Sequence, residues 1–318
     1  MESSDNVYDV VIIGAGPAGL TAGIYAARAR MKTLIIESLV VMGQATMTEI
    51  IENYPGVEKV TGFDLVTTLK KQAEGFGAKC RMGTVVKISR TNSGKVSVWK
   101  IEDENGSVEA LSVIAASGAR PKKLKVPGEE KFLGRGVSYC ATCDGAFFRD
   151  KDIVVIGGGD TVVEEAIFLT RFGKKVTIIH RRDRLRATKI LQERAFANEK
   201  IDYVWGSVVD SIVGVDKVER VVVVNKDTGK KQEISCEGVF IFTGWRPNTD
   251  FSDGVVKKDE YGAILADKEM KTSAPGIFAG GDCCRKILHQ VVTACGDGAV
   301  AAFSAQHYVE KIKGTEYK

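Results

Sequence analysis

The stretch Tyr8-Asp9-Val10-Val11-Ile12-Ile13-Gly14-Ala15-Gly16-Pro17-Ala18-Gly19 decides how this chain is read. An apolar run enters a glycine-rich turn. Leu20 to Arg30 follows as a helical stretch, and a second apolar run, Thr33-Leu34-Ile35-Ile36, ends at Glu37. In a strand–turn–helix–strand unit of this kind each glycine has its own task. The first permits a tight bend, the second lets the backbone approach a pyrophosphate, and the third allows the helix to pack against the strand. The helix start then offers free N–H groups and a positive dipole end to the phosphates.

The pattern recurs. Ile153-Val154-Val155-Ile156 leads into Gly157-Gly158-Gly159-Asp160-Thr161-Val162, then a helical stretch from Val163 to Phe172, then Val176-Thr177-Ile178-Ile179 ending at His180. The distance from Gly16 to Glu37 and from Gly159 to His180 is the same, 21 residues. One glycine turn alone is a weak signal; two copies with equal spacing are a strong one. A second echo follows each unit. Ser117-Gly118-Ala119-Arg120-Pro121 comes after the apolar run Val113 to Ala116, and Thr243-Gly244-Trp245-Arg246-Pro247 after Gly238 to Phe242. Between unit and echo, Val96 to Ile101 before Asn105-Gly106, and Val221 to Asn225 before Thr228-Gly229, read as small antiparallel strands. The expected class is α/β, with two Rossmann-like dinucleotide-binding domains. Each is a parallel sheet with helices plus a small antiparallel β-meander. The boundaries fall at the echoes: 1–120 and 247–318 form one domain, and 121–246 is inserted into it.

Composition narrows the function classes. The chain has 318 residues, 44% hydrophobic and 27% charged, which is ordinary for a globular protein of about two domains. A net charge of +4 is too small to argue for nucleic acid or a membrane surface. No run of apolar residues is long enough for a membrane span. Met1 to Tyr8 is polar and acidic, unlike a secretory signal, so a cytoplasmic location is expected. Seven cysteines in a chain of this length do not resemble a secreted disulfide scaffold.

The ends of the two second strands differ chemically. Glu37 suits a ribose hydroxyl, as for FAD or NAD, and against the other unit it reads as the FAD site. The other unit has no acid there and carries His180-Arg181-Arg182-Asp183-Arg184-Leu185-Arg186. Guanidinium groups make bidentate, charge-assisted hydrogen bonds to phosphate oxygens, so this cluster suits the 2′-phosphate of NADPH. The alternative is a solvated basic loop. Cys140-Ala141-Thr142-Cys143-Asp144 reads as a redox pair, with Asp144 placed to move a proton to or from a departing thiolate. A zinc pair is the alternative, but zinc asks for a second pair at similar spacing, and the other close cysteines, Cys283 and Cys284, are adjacent and far along the chain. Cys80, Cys236 and Cys295 sit among apolar or strand-like neighbours and read as inert core thiols.

A second flavin contact is expected late in the chain. Ala274-Pro275-Gly276-Ile277-Phe278-Ala279-Gly280-Gly281-Asp282 is a strand ending in small residues and an acid that could hold ribityl hydroxyls. His289-Gln290-Val291-Val292-Thr293-Ala294 then starts a helix running to about Lys313, whose N-terminus could face the flavin. His289 reads as a positioning residue, with general base as the alternative. Cys283-Cys284 has no assigned role beyond packing near the flavin.

With these residues in hand, the chain resembles the low-molecular-weight thioredoxin reductases over nearly its whole length. The resemblance rests on Gly14 to Gly19, on Gly43-Gln44 with Glu52-Asn53-Tyr54-Pro55-Gly56, on Cys140 to Asp144, on Gly157 to Ala166, on His180 to Arg186 and on Gly280 to Val291. It implies an FAD domain split around an NADPH domain that carries the cysteine pair, a homodimer, and thioredoxin or a thioredoxin-like protein as partner. It implies FAD contacts from Gly14, Gly16, Pro17, Ala18, Gly19, Glu37, Gly43, Gln44, Asn53, Gly118, Gly281, Asp282, His289, Gln290 and Val291. It implies NADPH contacts from Gly157, Gly159, Asp160, Thr161, His180, Arg181, Arg182 and Arg186, and catalysis by Cys140, Cys143 and Asp144, with no metal. Rotation of the inserted domain about Gly118 and Gly244 belongs to the same expectation. The chain departs from the family at Val162, where a small Ala is usual, at Ser117, where Thr is usual, and at Cys283-Cys284. Relatives that use reduced ferredoxin tend to lack the arginine cluster. A dithiol oxidase or a non-catalytic redox sensor would be the rival readings.

Overall fold

The computed structural model describes residues 7–38, 43–48, 50–93 and 96–316. The N-terminal residues 1–6 and the last two, 317–318, lie outside the described residues. The chain divides into two compact units, Met1–Arg120 with Arg246–Lys318, and Pro121–Trp245.

The first unit opens with β1 (Val7–Ile13), α1 (Pro17–Arg28) and β2 (Thr33–Glu37), followed by α2 (Gln44–Met47), α3 (Gly62–Gly75) and β3 (Lys79–Met82). Residues 10–13 of β1 are fully covered, as expected of an apolar run in the middle of a parallel sheet. Pro17 occupies the first helical turn of α1, where its missing N–H costs nothing. The start of α3 is capped by Thr61, whose hydroxyl accepts from Asp64 N–H at 3.0 Å. A meander then runs through β4 (Val85–Ser93), β5 (Val96–Asp103) and β6 (Gly106–Ala115), and β7 (Ala119–Pro121) leads out of the unit.

The second unit contains β8 (Val137–Ser138), α4 (Ala141–Asp144), β9 (Asp152–Ile156), α5 (Asp160–Leu169), β10 (Lys175–Ile179), α6 (Lys189–Phe196) and β11 (Ile201–Val204). The antiparallel strands β12 (Ser207–Gly214), β13 (Val218–Asn225) and β14 (Lys231–Ser235) follow, then β15 (Gly238–Ile241). Its parallel sheet has the order β11-β10-β9-β15-β8. The chain returns through β16 (Trp245–Pro247), which pairs with β7, and ends with β17 (Ile277–Ala279) and α7 (Val291–Lys313). The seven-stranded sheet of the first unit has the order β3-β2-β1-β6-β5-β4, with β17 also on β6.

The internal echo extends to single hydrogen bonds. Gly14 N–H donates to Ile36 at 2.8 Å, and Gly157 N–H to Ile179 at 3.1 Å. Ala116 N–H donates to Ile13, and Phe242 N–H to Ile156, both at 2.9 Å. The helices start three residues earlier than their hydrophobic patterns suggest, at Pro17 and Asp160, because Gly16 and Gly159 are extended and serve as N-caps. The second helix stops at Leu169 instead of Phe172, and Gly173 N–H closes it onto Leu169. The late helix starts at Val291: Gln290 is its N-cap, in a reciprocal capping box with Thr293. It ends at Gly314 with φ 67°.

α7 lies directly on α1. A Cβ on Gly298 would stand 2.0 Å from the Ala18 carbonyl oxygen, so only glycine permits this approach. Gly298→Ala is therefore expected to destabilise the fold by about 1–3 kcal/mol, the usual cost of overpacking, as a shifted denaturant midpoint in urea.

Candidate active site

In the first unit, residues far apart in sequence converge on the carboxyl ends of parallel strands, the edge where open α/β sheets take ligands. Gly14 follows β1, Glu37 ends β2, Ser117 and Gly118 follow β6, and Gly281 and Asp282 follow β17. Gly14 has φ 108°, and a Cβ there would meet the Ala116 carbonyl oxygen at 2.3 Å. A Cβ on Gly19 would lie 1.9 Å from the Gly14 carbonyl oxygen. Ala18 is buried beneath Gly281, which has φ 78°. The protein itself thus demands small residues at these positions.

Gly16 is different. It has φ -79° and ψ -177°, which any residue adopts, and a Cβ there would meet nothing within 4 Å. Neither backbone strain nor packing among the described residues explains glycine here; a ligand lying against the backbone would. Asp282 points the same way: its Oδ1 is shielded from solvent and has no hydrogen-bond partner among the described residues. His289 Nδ1 lies 3.3 Å from that oxygen but is not aligned to donate. An acid left so needs donors that the described residues do not supply. Glycine at 16 and the bare acceptor of Asp282 both fit a bound dinucleotide with hydroxyl donors.

Other expected contacts also gather here. Asn53 Nδ2 donates to Gln290 Oε1 at 3.0 Å, joining two positions 237 residues apart. Gln44 Nε2, next to the N-cap Gly43, donates to the Ala119 carbonyl at 3.0 Å. Val291 is the first helical residue after Gln290. Gly118 has φ 64°, and Ser117 donates from its hydroxyl to the Asn248 carbonyl at 2.6 Å. Sequence reasoning missed the partner of Glu37: Lys70 Nζ on α3 lies 2.7 Å from Glu37 Oε2. A lysine on the exposed face of a helix gives no sequence signal for such a pairing.

The second unit repeats the construction. Gly157 has φ 139°, and a Cβ there would meet the Phe242 carbonyl oxygen at 2.4 Å and Val162 Cγ2 at 2.5 Å. Val162 is accommodated in the core because Gly157 has no side chain, so this departure from the family pattern keeps α5 packed. Gly159, like Gly16, has an ordinary backbone, and a Cβ would meet nothing. The arginine loop is strapped to the turn. Arg186 N–H donates to the Gly158 carbonyl at 2.7 Å, and Thr188 N–H to Asp160 Oδ1 at 2.6 Å. Arg181, Arg182 and Arg186 are exposed there, and Thr161 on the first turn of α5 is half-buried.

His180 stands elsewhere than the exposed arginines. It is 4% exposed, and its ring covers Gly158, where a Cβ would lie 2.4 Å from Nδ1. Burial first, then Arg186, holds its pKa below the ordinary value, which keeps the ring neutral at neutral pH. The middle glycine of the Gly157–Gly159 run is thus demanded by this histidine.

Cys140 and Cys143 are joined as a disulfide across α4, with their Cα atoms 5.3 Å apart. Cys140 is the N-cap: its sulfur receives the Cys143 N–H at 3.1 Å and lies 3.3 Å from Thr142 Oγ1. Cys143 is exposed, and Asp144 is half-buried beside it. Phe147, four residues further, is 73% exposed, whereas Phe148 is buried. Sequence reasoning did not single out Phe147. The adjacent pair Phe147-Phe148 was the available signal, since one short turn cannot bury both rings. The remaining thiols differ from the pair. Burial pushes Cys80 up to about 11 and Cys236 to about 12, so neither is a ready nucleophile.

Residues 8–298 match the family model described as pyridine nucleotide-disulphide oxidoreductase. The chain is 47% identical over 315 residues to a thioredoxin reductase of Peptoclostridium litorale, covering 97% of this chain and 99% of that one. It is 46% identical over 314 residues to a thioredoxin reductase of Bacillus subtilis, covering 98% of each. The crystal structure of Lactococcus lactis thioredoxin reductase in its FR conformation superposes with a TM-score of 0.92 at 48% identity, covering 96% of this chain and 99% of that one. The chain belongs to the pyridine nucleotide-disulphide oxidoreductases, and within them to the low-molecular-weight thioredoxin reductases.

Gly16→Ala and Gly159→Ala should both fold with unfolding midpoints close to that of the parent chain when no ligand is added. Gly16→Ala is expected to lose bound flavin, read by visible absorbance after gel filtration. Gly159→Ala should keep its flavin and lose nucleotide binding, read by calorimetry.

Proposed function

We propose that this oxidoreductase is a thioredoxin-disulfide reductase that draws electrons from NADPH, passes them through FAD to the Cys140–Cys143 disulfide, and delivers them to a thioredoxin-like protein. The observation that carries the reading is a redox disulfide with an exposed cysteine, built into the same unit as a dinucleotide turn with an arginine loop strapped to it.

In this reading Gly14, Gly16 and Gly19 admit the FAD pyrophosphate, Glu37 takes a ribose hydroxyl, Asp282 accepts from the ribityl chain, and the start of α7 faces the flavin. Gln44, Asn53, Gly118, His289, Gln290 and Val291 line the same site. Bound there, FAD would supply the two-electron carrier between a nicotinamide and a disulfide. Gly157, Gly159, Asp160 and Thr161 admit the NADPH pyrophosphate. Arg181, Arg182 and Arg186 pair with the 2′-phosphate, and His180 supports the turn from beneath.

The chain's own chemistry then follows from thiol–disulfide exchange. When the Cys140–Cys143 bond opens, two electrons and two protons are taken up as a dithiol. The Cys143 N–H and the Thr142 hydroxyl are placed to hold negative charge on the Cys140 sulfur, and Asp144 is near enough in sequence to move the proton. One thiolate then attacks the partner's disulfide, forming a mixed disulfide and releasing a partner thiolate. The second cysteine displaces the partner's other sulfur and restores the Cys140–Cys143 bond. Phe147 offers a partner protein an exposed aromatic contact beside this pair. A homodimer and a cytoplasmic location complete the reading. The exposed apolar side chains of Ile287, Leu288 and Val292 are surface of the kind that self-association covers. No helix among the described residues is long and apolar enough to cross a membrane.

Stopped-flow bleaching of the flavin, with NADPH and NADH compared side by side, tests the donor. NADPH should act at far lower concentration, and Arg181→Ala with Arg186→Ala should remove that preference by raising the NADPH requirement alone. NADH acting equally well in the parent chain would overturn the assignment. Phe147→Ser should raise the KM for a thioredoxin several-fold and leave flavin bleaching by NADPH unchanged.

A further inference from the structure

Two cysteines outside the proposed cycle lie directly after the flavin-site acid. Cys283 and Cys284 are adjacent in sequence, 0% and 5% exposed, and their sulfurs are 4.0 Å apart. Cys283 Sγ lies 3.3 Å from each of the Ala115 and Gly280 carbonyl oxygens, at the carboxyl ends of β6 and β17. The hydrogen bond with the Cys284 thiol lowers the Cys283 pKa from its ordinary value, with smaller contributions from Ser117 and the Gly118 backbone, while burial opposes them. Cys284 is pushed the opposite way by the same hydrogen bond and by burial. The backbone around them is held by Ile264, whose N–H donates to the Cys283 carbonyl at 2.9 Å and whose carbonyl receives the Arg285 N–H at 3.1 Å.

This is a pair of adjacent thiols, sealed from any protein-sized partner. Burial rules out a mixed disulfide with thioredoxin-like proteins, and each sulfur has only the other as a resolving group. We infer that Cys283 and Cys284 form a second redox couple, a reversible vicinal disulfide made by small hydroperoxides, which loosens the flavin site through Asp282. This rests on the reading of Asp282 as a flavin contact.

The step balances as follows. The Cys283 sulfur gives up its proton and attacks one oxygen of hydrogen peroxide; an S–O bond forms, the O–O bond breaks, and the leaving hydroxide takes that proton to become water. The Cys284 sulfur then attacks Cys283; the S–S bond forms, the S–O bond breaks, and a second water leaves. Two thiols lose two electrons and two protons, and the peroxide is reduced to two waters. Neighbouring Cα atoms are about 3.8 Å apart, closer than the about 4.4–6.8 Å that disulfides usually span. The new bond is therefore strained and easily reduced, as regulatory disulfides are. Closing it draws Cys283 Sγ away from Ala115 and Gly280 and turns the peptide that carries Asp282.

The test uses the full, flavin-loaded chain. It is first shown to bleach with NADPH and reoxidised in air. It is then treated with hydrogen peroxide, cleared with catalase, denatured, alkylated with N-ethylmaleimide and digested for mass spectrometry. The expected result is a peptide containing Cys283 and Cys284 that lacks two hydrogens, carries no alkyl group, and returns to the doubly alkylated form after dithiothreitol. Flavin retention on gel filtration should fall in proportion to that peptide. Cys284→Ala should retain its flavin through the same treatment. Two alkylated cysteines after peroxide, or stable overoxidation of either without the S–S bond, overturns the inference even if that variant fails to fold. A disulfide that forms without any loss of flavin overturns the link to Asp282. Failure to bleach at the first step counts instead against the flavin reading itself.

Discussion

A parallel strand that runs into a helix within three or four residues brings backbone so close to backbone that side chains do not fit. In both units a Cβ on the first glycine of the turn would lie within 2.4 Å of a carbonyl oxygen at the neighbouring strand's exit. That close approach fixes where the helix begins, which N–H groups stay free, and where the next strand's carboxyl end lies. The remaining site residues of each unit are arranged around that opening. They come from later strands of the same sheet, and in the first unit also from the start of α7, whose own approach depends on Gly298.

The same backbone carries two different chemistries because the neighbouring strand ends differ. β2 ends in an acid paired with Lys70, while β10 ends in a buried neutral histidine followed by exposed arginines tied back by Arg186 and Asp160. A strand end lined by an acid and a strand end lined by arginines thus stand on one repeated scaffold. The cysteine pair lies on a short helix of the second unit, next to an exposed aromatic ring.

Much of this was legible in the residues. Apolar runs, glycine spacing and the paired echoes marked both parallel sheets, their meanders and the strand ends, since period and turn chemistry are local properties. Gly16 and Gly159 could be named from the pattern, but only the structure shows that nothing among the described residues requires glycine there. What stayed hidden depends on contacts across long separations. Lys70 beside Glu37, Asn53 beside Gln290, and His180 over Gly158 follow from how strands and helices are stacked. Phe147 was hidden for another reason: which ring of an adjacent pair turns outward is set by packing against the core. The helix boundaries shifted because these turns place an extended glycine at the N-cap, ahead of the hydrophobic pattern.

The central claim is that one chain holds two electron-pair acceptors in series, a flavin in the first unit and the Cys140–Cys143 disulfide in the second. Anaerobic titration with NADPH, followed by absorbance and thiol counting, measures this directly. The account predicts that reduction consumes reductant for two electron pairs per chain, with the Cys140–Cys143 thiols appearing as one pair is taken up. A chain that accepts a single pair, or that bleaches while its disulfide stays closed, would contradict it.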